Sequence, residues 1–323
     1  MTGAGLEEAN GPQVCLDDVH AVIANWNGGE DNLTCLASLV AAGLAEENII
    51  FVDNGSTDGS LERVQAVHPG LRLIKNGENR GFGEAANQGA GLALELGARE
   101  VFFVNNDVEL LPGALVALVD ELRREAQLGI VGPRILWRSD PKRLWCAGGM
   151  LTWRQNLSTL LGFNQADGPA WRARRKVDYV AGCAMLVERR VFDQVGFFDA
   201  TYFAYTEDVD LCMRARWQGF DVICLGEVAV LHESSSSTGG GYNPRRKYMM
   251  GLNSVRFLKN HGNASHWLRF LFFDVASLPL IMAVGVFQGR LGATLAKALG
   301  ILDGLRGRSI TAERIRPGGG PFW

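Results

Sequence analysis

The chain has 323 residues, 47% of them apolar and 21% charged, with a formal net charge of −3. That composition excludes a disordered or fibrous protein, and the mild acidity argues against nucleic acid as a partner, since nucleic acid is held through bulk positive charge. Six scattered cysteines with no CxxC spacing read as buried thiols of a reducing compartment rather than as a zinc site or a disulfide scaffold.

The opening MTGAGLEEANGPQ carries neither a basic n-region nor an apolar h-region. No secretory signal is expected, and residues 1–18 are expected to be disordered. His20–Ala24 then predicts a strand, followed by a helix from Asp31 to Ala42. Asn48–Val52 predicts a second strand, with a helix from Asp58. Leu71–Lys75 predicts a third, with an Ala-rich helix over Gly83–Leu96. Val101–Val104 predicts a fourth, before a helix opening at Pro112, proline being favoured at a first helical position. Strands alternating with helices imply an α/β protein with a Rossmann-like, mainly parallel sheet flanked by helices.

Ligands on such sheets bind beyond the carboxyl ends of the strands. The residues there are Asn25-Trp26-Asn27, Asp53-Asn54-Gly55-Ser56-Thr57-Asp58 and Asn105-Asn106-Asp107. One such cluster alone is ordinary turn chemistry. Three edges rich in carboxamide and carboxylate point to a ligand site. By contrast, Gly81-Phe82-Gly83-Glu84-Ala85-Ala86 matches the dinucleotide-binding G-x-G-x-x-A pattern but follows the third strand, not the first, which discards a nicotinamide dehydrogenase.

From Gly129 to Lys176 the pattern is irregular and Trp-rich, ending in Arg172, Arg174, Arg175 and Lys176. It reads as an acceptor-side flap or as a solvated loop. Val177–Val187 is strand-like. Thr206 is an expected N-cap for a helix that opens with Glu207, Asp208 and Asp210 and stops at Gly219. Two short strands are expected to end at Leu231-His232, before a mobile Ser234–Gly241 loop. From Gly240 onward the chain carries 12 basic and 3 acidic residues. A basic tail containing HWLRFLFFDVASLPLIMAVGVFQGR has the composition of a segment lying on an anionic membrane face; the alternative is a helical appendage packed on the domain. The uncharged run Val275–Gly289 is shorter than the roughly 20 residues needed to span a bilayer, so a buried or interfacial helix is expected.

Asp107, directly after an apolar strand, suits a hard divalent ion that also holds diphosphate oxygens. His232 would bias that ion towards manganese, or is a surface histidine at a strand end. Helix capping and the helix dipole account for Glu207 and Asp208 by themselves. The same field keeps a carboxylate ionised and able to accept a proton from a sugar hydroxyl.

Taken in order, NWN, VDNGSTDGS, NRGFGEAANQG, VFFVNNDVEL, VAGCAMLVERRVFDQVGFFD and YTEDVDLCMRARWQGF resemble glycosyltransferase family 2, most of all its rhamnosyltransferase-type branch of bacterial surface-polysaccharide enzymes. The resemblance covers His20 to His232. It implies a GT-A fold over residues 19–238, followed by a basic helical extension over 239–323 that is membrane-associated. It also implies a nucleotide-diphosphate-sugar donor, with L-rhamnose among the sugars, a Mg²⁺ or Mn²⁺ cofactor, and a single inverting displacement onto a glycan or lipid-linked glycan. The enzyme would work in the cytoplasm, peripheral to the inner face of the membrane. By the family's motifs, Asp208 is the base and Glu207 binds acceptor. Asn25, Asn27, Asp53, Asn54, Asn87, Asn105 and Asn106 serve the donor, and Asp107 and His232 the metal. Three departures stand out. The D-x-D element is thinned to Asn105-Asn106-Asp107. Ala86 precedes Asn87 where many relatives have arginine, so another cation must meet the diphosphate. The Q-x-x-R-W signature of processive synthases is missing from the sequence. A UDP- or GDP-sugar donor, or a non-catalytic binding member, are the other readings that the same sequence allows.

Overall fold

The computed structural model describes residues 14–154, 156–233 and 243–323. The expectations of a disordered extreme N-terminus and a mobile Ser234–Gly241 loop therefore fall outside the described residues. Residues 14–18, expected to be disordered, are tied down. Arg123 donates to the Cys15 carbonyl at 2.9 Å and to Asp18 Oδ1 at 2.6 Å.

The first half alternates as expected: β1 (Val19–Asn25), α1 (Asp31–Ala41), β2 (Ile49–Asp53), α2 (Ser60–Val67), β3 (Arg72–Lys75), α3 (Phe82–Glu95) and β4 (Glu100–Val104). Then come β5 (Val108–Leu110), α4 (Ala114–Arg124), β6 (Leu128–Trp137), β7 (Leu144–Cys146), β8 (Gly149–Leu151), β9 (Ser158–Leu160), β10 (Arg174–Lys176), β11 (Ala184–Glu188), α5 (Arg189–Val195), α6 (Glu207–Trp217) and β12 (Asp221–His232). The C-terminal part is helical: α7 (Pro244–His261), α8 (Ala264–Phe270), a π-helical turn over Leu271–Val275, α9 (Leu278–Phe287), α10 (Leu291–Leu305) and α11 (Ala312–Ile315).

The main sheet runs β10-β12-β6-β11-β4-β1-β2-β3, with β5 on β12 and β7 on β6. β1 to β4 are parallel and β11 runs antiparallel between β4 and β6. Both faces of the central strands are buried. Ala21 and Ile23 pack with α1 through Leu36 and Leu39, while Val22 faces the α3 alanines Ala86 and Ala90. This period-two division explains why the strands read as continuous apolar runs.

Several expectations need correction. Pro112 precedes the helix: Gly113, at φ +77°, is the residue flanking α4. Of the Val177–Val187 run only residues 184–187 are strand, within β11. The two short strands are one, β12, whose register shifts between Leu225 and Ala229. The Gly129–Lys176 segment is not a plain solvated loop: it carries β6 to β10, and Trp145, Asn156, Ser158 and Leu160 from it line a cavity. Arg174–Lys176 form edge strand β10 on β12, with Arg174 paired to Glu121 and Glu125 and Lys176 to Asp221. Finally, Ala264–Phe287 is one helical stretch of 24 residues containing an 18-residue window of mean hydropathy 2.2, long and apolar enough to cross a membrane by length and composition. Counting from Asp274 cut it short, because that charge does not end the helix. Asp274 is fully buried and meets Lys297 of α10 at 2.6 Å.

Candidate active site

The carboxyl ends of β4, β1 and β2 lie side by side, and their polar residues form one hydrogen-bonded cluster. Asn25 and Asp53 are register partners at the ends of β1 and β2. Asn25 Nδ2 donates to Asp53 Oδ1, Ser56 Oγ and Ser60 Oγ at 3.0–3.1 Å. Asn25 Oδ1 accepts from the Gly28 amide at 3.1 Å and from Asn106 Nδ2 at 2.9 Å. Asp53 Oδ2 accepts from the amides of Gly55 and Ser56, both at 3.1 Å. Asn27, at φ +54°, accepts from the Thr57 amide at 2.8 Å. Asn54 donates to the Gly81 carbonyl at 3.0 Å and accepts from Asn76 at 2.8 Å. Gly28 is needed here for space, because a Cβ would lie 1.9 Å from Asn106 Nδ2. Asn87 stays apart from this cluster. Its amide is matched at both ends to the backbone of Phe198, at 2.9 and 3.0 Å, so it pins α3 to the segment before α6 and does not line the cavity.

Next to this cluster lies a cavity of about 350 Å³. Asn105, Asn106, Asp107 and His232 line it together with Glu207 and Asp208, bringing together residues separated by more than a hundred positions in sequence. His232 Nε2 lies 3.2 Å from Asp107 Oδ1, and both side chains are buried. Neither ring nitrogen of His232 makes a hydrogen bond among the described residues. The Trp145 ring fixes the imidazole edge-on, with centroids 5.0 Å apart. Two ligands of one octahedral ion with bonds near 2.1 Å stand roughly 3 Å apart. The pair therefore fits a shared divalent ion better than a hydrogen bond. No group of three or more His, Cys, Asp or Glu is clustered among the described residues, so further ligands would have to come from substrate and water.

Glu207 and Asp208 open α6, and the backbone that presents them is strained. Phe203, Tyr205 and Thr206 have φ of +65°, +69° and +82°, a left-handed conformation uncommon for residues other than glycine. Thr206 makes no side-chain capping bond, contrary to expectation. Asp208 takes part of that role: its Oδ1 accepts from the Val209 amide at 2.8 Å and its Oδ2 from the Gly182 amide at 2.9 Å. Gly182 allows this approach, since a Cβ there would lie 3.2 Å from Asp208 Cβ. Burial raises the Asp208 carboxyl above the usual aspartate range, and these two amides partly offset the rise. Burial, and then the Asp208 charge, push Glu207 well above the usual glutamate range. Glu207 Oε2 has no hydrogen-bond partner among the described residues.

Sequence reasoning missed the third wall. Arg246, Met250 and Ser254 of α7 line the cavity, and their spacing of four puts them on one helix face. The Arg246 guanidinium lies 5.3 Å from the centre of the Tyr205 ring. The signal was present in the sequence, but it was read as part of a general basic tail.

A mixed sheet whose parallel strands end in a polar crevice, with helices around it, has the layout of a GT-A glycosyltransferase. The chain matches the Glycosyl transferase family 2 model over residues 21–196 and the Glycosyl transferase family group 2 model over residues 150–301. It is 31% identical over 250 residues to N-acetylglucosaminyl-diphospho-decaprenol L-rhamnosyltransferase of Mycobacterium tuberculosis, covering 69% of this chain and 79% of that one. The chain therefore belongs to glycosyltransferase family 2. Among solved structures, the mannosyltransferase PcManGT from Pyrobaculum calidifontis, in complex with GDP-Man and Mn²⁺, superposes with a TM-score of 0.56 at 14% identity, covering 90% of this chain and 88% of that one. GalNAc-T7 with UDP, GalNAc and Mn²⁺ gives 0.55 at 13% identity over 82% of this chain, which spans only 57% of that protein. At these identities the two structures speak for the fold.

Proposed function

We propose that this glycosyltransferase transfers a sugar, L-rhamnose in the first instance, from a nucleotide diphosphate to a lipid-linked or polysaccharide hydroxyl, with inversion. The observation that carries the reading is the meeting of Asp107–His232 and Glu207–Asp208 on one cavity. Asp208 accepts the proton of the acceptor hydroxyl as that oxygen bonds to the anomeric carbon. The anomeric carbon–oxygen bond to the diphosphate breaks, and the electron pair leaves with the diphosphate. Glu207, whose carboxyl is pushed by burial well above the usual glutamate range, is the hydrogen-bond partner of the acceptor. Arg246 supplies the cation that the family's third motif lacks here, next to the departing phosphates. Asn25, Asn27, Asp53 and Asn54 hold the nucleoside, and Asn105 and Asn106 the adjoining donor atoms. A Mg²⁺ or Mn²⁺ ion held by Asp107 and His232 would offset the charge developing on the leaving diphosphate.

The rhamnose donor is favoured by the similarity to the mycobacterial N-acetylglucosaminyl-diphospho-decaprenol L-rhamnosyltransferase, whose name also supports a lipid-linked acceptor. Association with the inner membrane face is favoured by the stretch from α8 through the π-helical turn to α9, which exposes Leu268, Phe272, Leu280 and Phe287, the last at 92%, within a basic C-terminal part. The buried Asp274–Lys297 pair ties this stretch to α10, which favours an interfacial position over a spanning one.

The test is thermal stability with dTDP, UDP and GDP, each with Mn²⁺, Mg²⁺ or a chelator, together with a transfer assay on Asp208→Asn. One nucleotide is expected to stabilise the protein in a metal-dependent way, by roughly 2.7 kcal/mol at about 100 times its dissociation constant. D208N is expected to keep that shift and lose transfer. No shift with any nucleotide would overturn the donor site, and unchanged transfer in D208N would overturn the base.

A further inference from the structure

The strained segment that presents Glu207 and Asp208 is held by α7. Asn253 lies in the middle of α7 and is fully buried. Its Nδ2 faces three backbone carbonyls of that one segment: Tyr202 at 3.0 Å, Ala204 at 2.9 Å and Tyr205 at 2.7 Å. An amide has two hydrogens, so at least one bond is shared between acceptors. The amide has only one workable orientation, because the reverse would aim its oxygen at three other oxygens. These carbonyls flank the left-handed residues Phe203, Tyr205 and Thr206. A run of non-glycine residues in this conformation costs of order 1–3 kcal/mol each and persists only where its surroundings over-determine it. Asn253 is the buried group that meets that requirement. Neighbouring contacts secure the same segment, with Arg256 of α7 donating to the Thr201 carbonyl and the Phe82 amide donating to the Phe203 carbonyl at 2.6 Å.

We infer that Asn253 is a positioning residue for the transfer step: its amide clamps the 202–205 carbonyls and thereby fixes the direction in which Asp208 meets the acceptor hydroxyl. Asn253 touches neither substrate, and the nucleotide cluster at the ends of β1 and β2 does not depend on it. The inference rests on the reading of Asp208 as base. It also assigns the C-terminal helices a part in catalysis that is separate from any membrane contact.

The experiment compares Asn253→Asp and Asn253→Ala with the full-length enzyme in transfer kinetics, thermal stability and nucleotide-induced stabilisation. Asparagine and aspartate have nearly the same shape, so a role in packing alone predicts that N253D is mild and N253A the worse of the two. A clamp that works by donating hydrogen bonds predicts the reverse order, because a carboxylate facing three carbonyls repels them. The expected result is a kcat lowered about 10²-fold in N253D, the scale associated with misplacing a catalytic group by about 1 Å. N253A should show a smaller loss, and both variants should keep the wild-type nucleotide shift and donor KM. Wild-type kcat in N253D would overturn the clamp. So would failure of both variants to fold, or parallel loss of nucleotide binding, since Asn253 would then be a core contact of the whole molecule. A D208N control separates the two readings. If D208N transfers normally, the base assignment falls whatever Asn253 does. If D208N is dead and N253D is unimpaired, only the clamp falls.

Discussion

Replacing Lys297 with methionine tests how the apolar C-terminal helices are fastened to the rest of the enzyme. Lys297 Nζ lies 2.6 Å from Asp274 Oδ1 and 3.0 Å from Asn156 Oδ1. Asp274 Oδ1 also accepts from the Asn156 amide at 3.2 Å, and Asn156 lines the active-site cavity. An exposed ion pair is worth about 0.2–1 kcal/mol. This pair is buried, with side-chain exposures of 7% and 0%, and removing one partner of a buried pair costs about 3–5 kcal/mol because the other charge is stranded. Lys247 moderates the loss. Burial, with the charges of Lys297 and Arg246, pushes its pKa down to about 8, while Asp274 acts in the opposite direction. It gains charge as Lys297 is removed, so the lower end of the range is expected. With an unfolding entropy near 2.1 cal/mol/K per residue, 1 kcal/mol is about 1.5 °C for a chain of this length. K297M should therefore lower Tm by about 4–5 °C in a thermal scan. Adding Asp274→Leu should recover most of that, because replacing a whole buried pair with apolar groups is close to neutral. A loss under about 1 °C in K297M would refute the reasoning, since the pair would then be solvated and the Ala264–Phe287 stretch packed differently.

Glu207→Gln should stabilise the protein at neutral and alkaline pH but not at pH 4. The folded pKa of Glu207 is raised, so its contribution is complete below the unfolded value near 4.3 and is lost as pH rises through the folded value; thermal scans across pH check this, and parallel curves for E207Q and wild type would sink it. In a pH profile of kcat, the acid limb should lie above the ordinary aspartate range, because burial raises Asp208, and a limb at or below about 3.9 would contradict the base assignment. Gly182→Ala places a Cβ 3.2 Å from Asp208 Cβ, so kcat should fall about 10-fold with nucleotide affinity unchanged; equal losses in both would mean that the substitution disturbs the whole site. Phe272→Ser with Leu280→Ser should weaken binding to anionic vesicles in a flotation assay, and unchanged flotation would reject an apolar membrane contact.

The sheet was legible where both of its faces are buried. β1, β2 and β4 are runs of four or five apolar residues between turn-forming clusters, and their ends fell within a residue or two of the expected positions. Val177–Gly182 misled because burial, not strand pairing, made it apolar: the segment carries Gly182 to Asp208 as irregular backbone. β12 read as two strands because Gly226-Glu227 interrupts its apolar pattern at the register shift. Asn87 and Asn25 were equivalent as sequence. Only tertiary packing sends one to the Phe198 backbone and the other to the crevice. Arg246 and Asn253 were missed for a different reason. Averaging the last 84 residues into one basic tail hid a helix whose individual positions complete the site.

Several of the groups this fold leaves unsatisfied border the active-site cavity. The His232 ring nitrogens and Glu207 Oε2 are buried without hydrogen bonds among the described residues, and Phe203, Tyr205 and Thr206 hold left-handed backbone beside them. By contrast, the buried Glu100 carboxylate is matched by Arg123 at 2.8–2.9 Å. Selection for stability alone would remove such defects, because each costs free energy that a simpler side chain would not. Those at the cavity are intelligible if each is satisfied only in the reacting complex: the imidazole by a cation, Glu207 by an acceptor hydroxyl. On that account, substitutions that relieve a single defect should raise Tm and lower turnover together, whereas substitutions of the supports, Asn253 or Gly182, should lower turnover without raising Tm. The sign of the stability change therefore separates residues that meet substrate from residues that hold them in place.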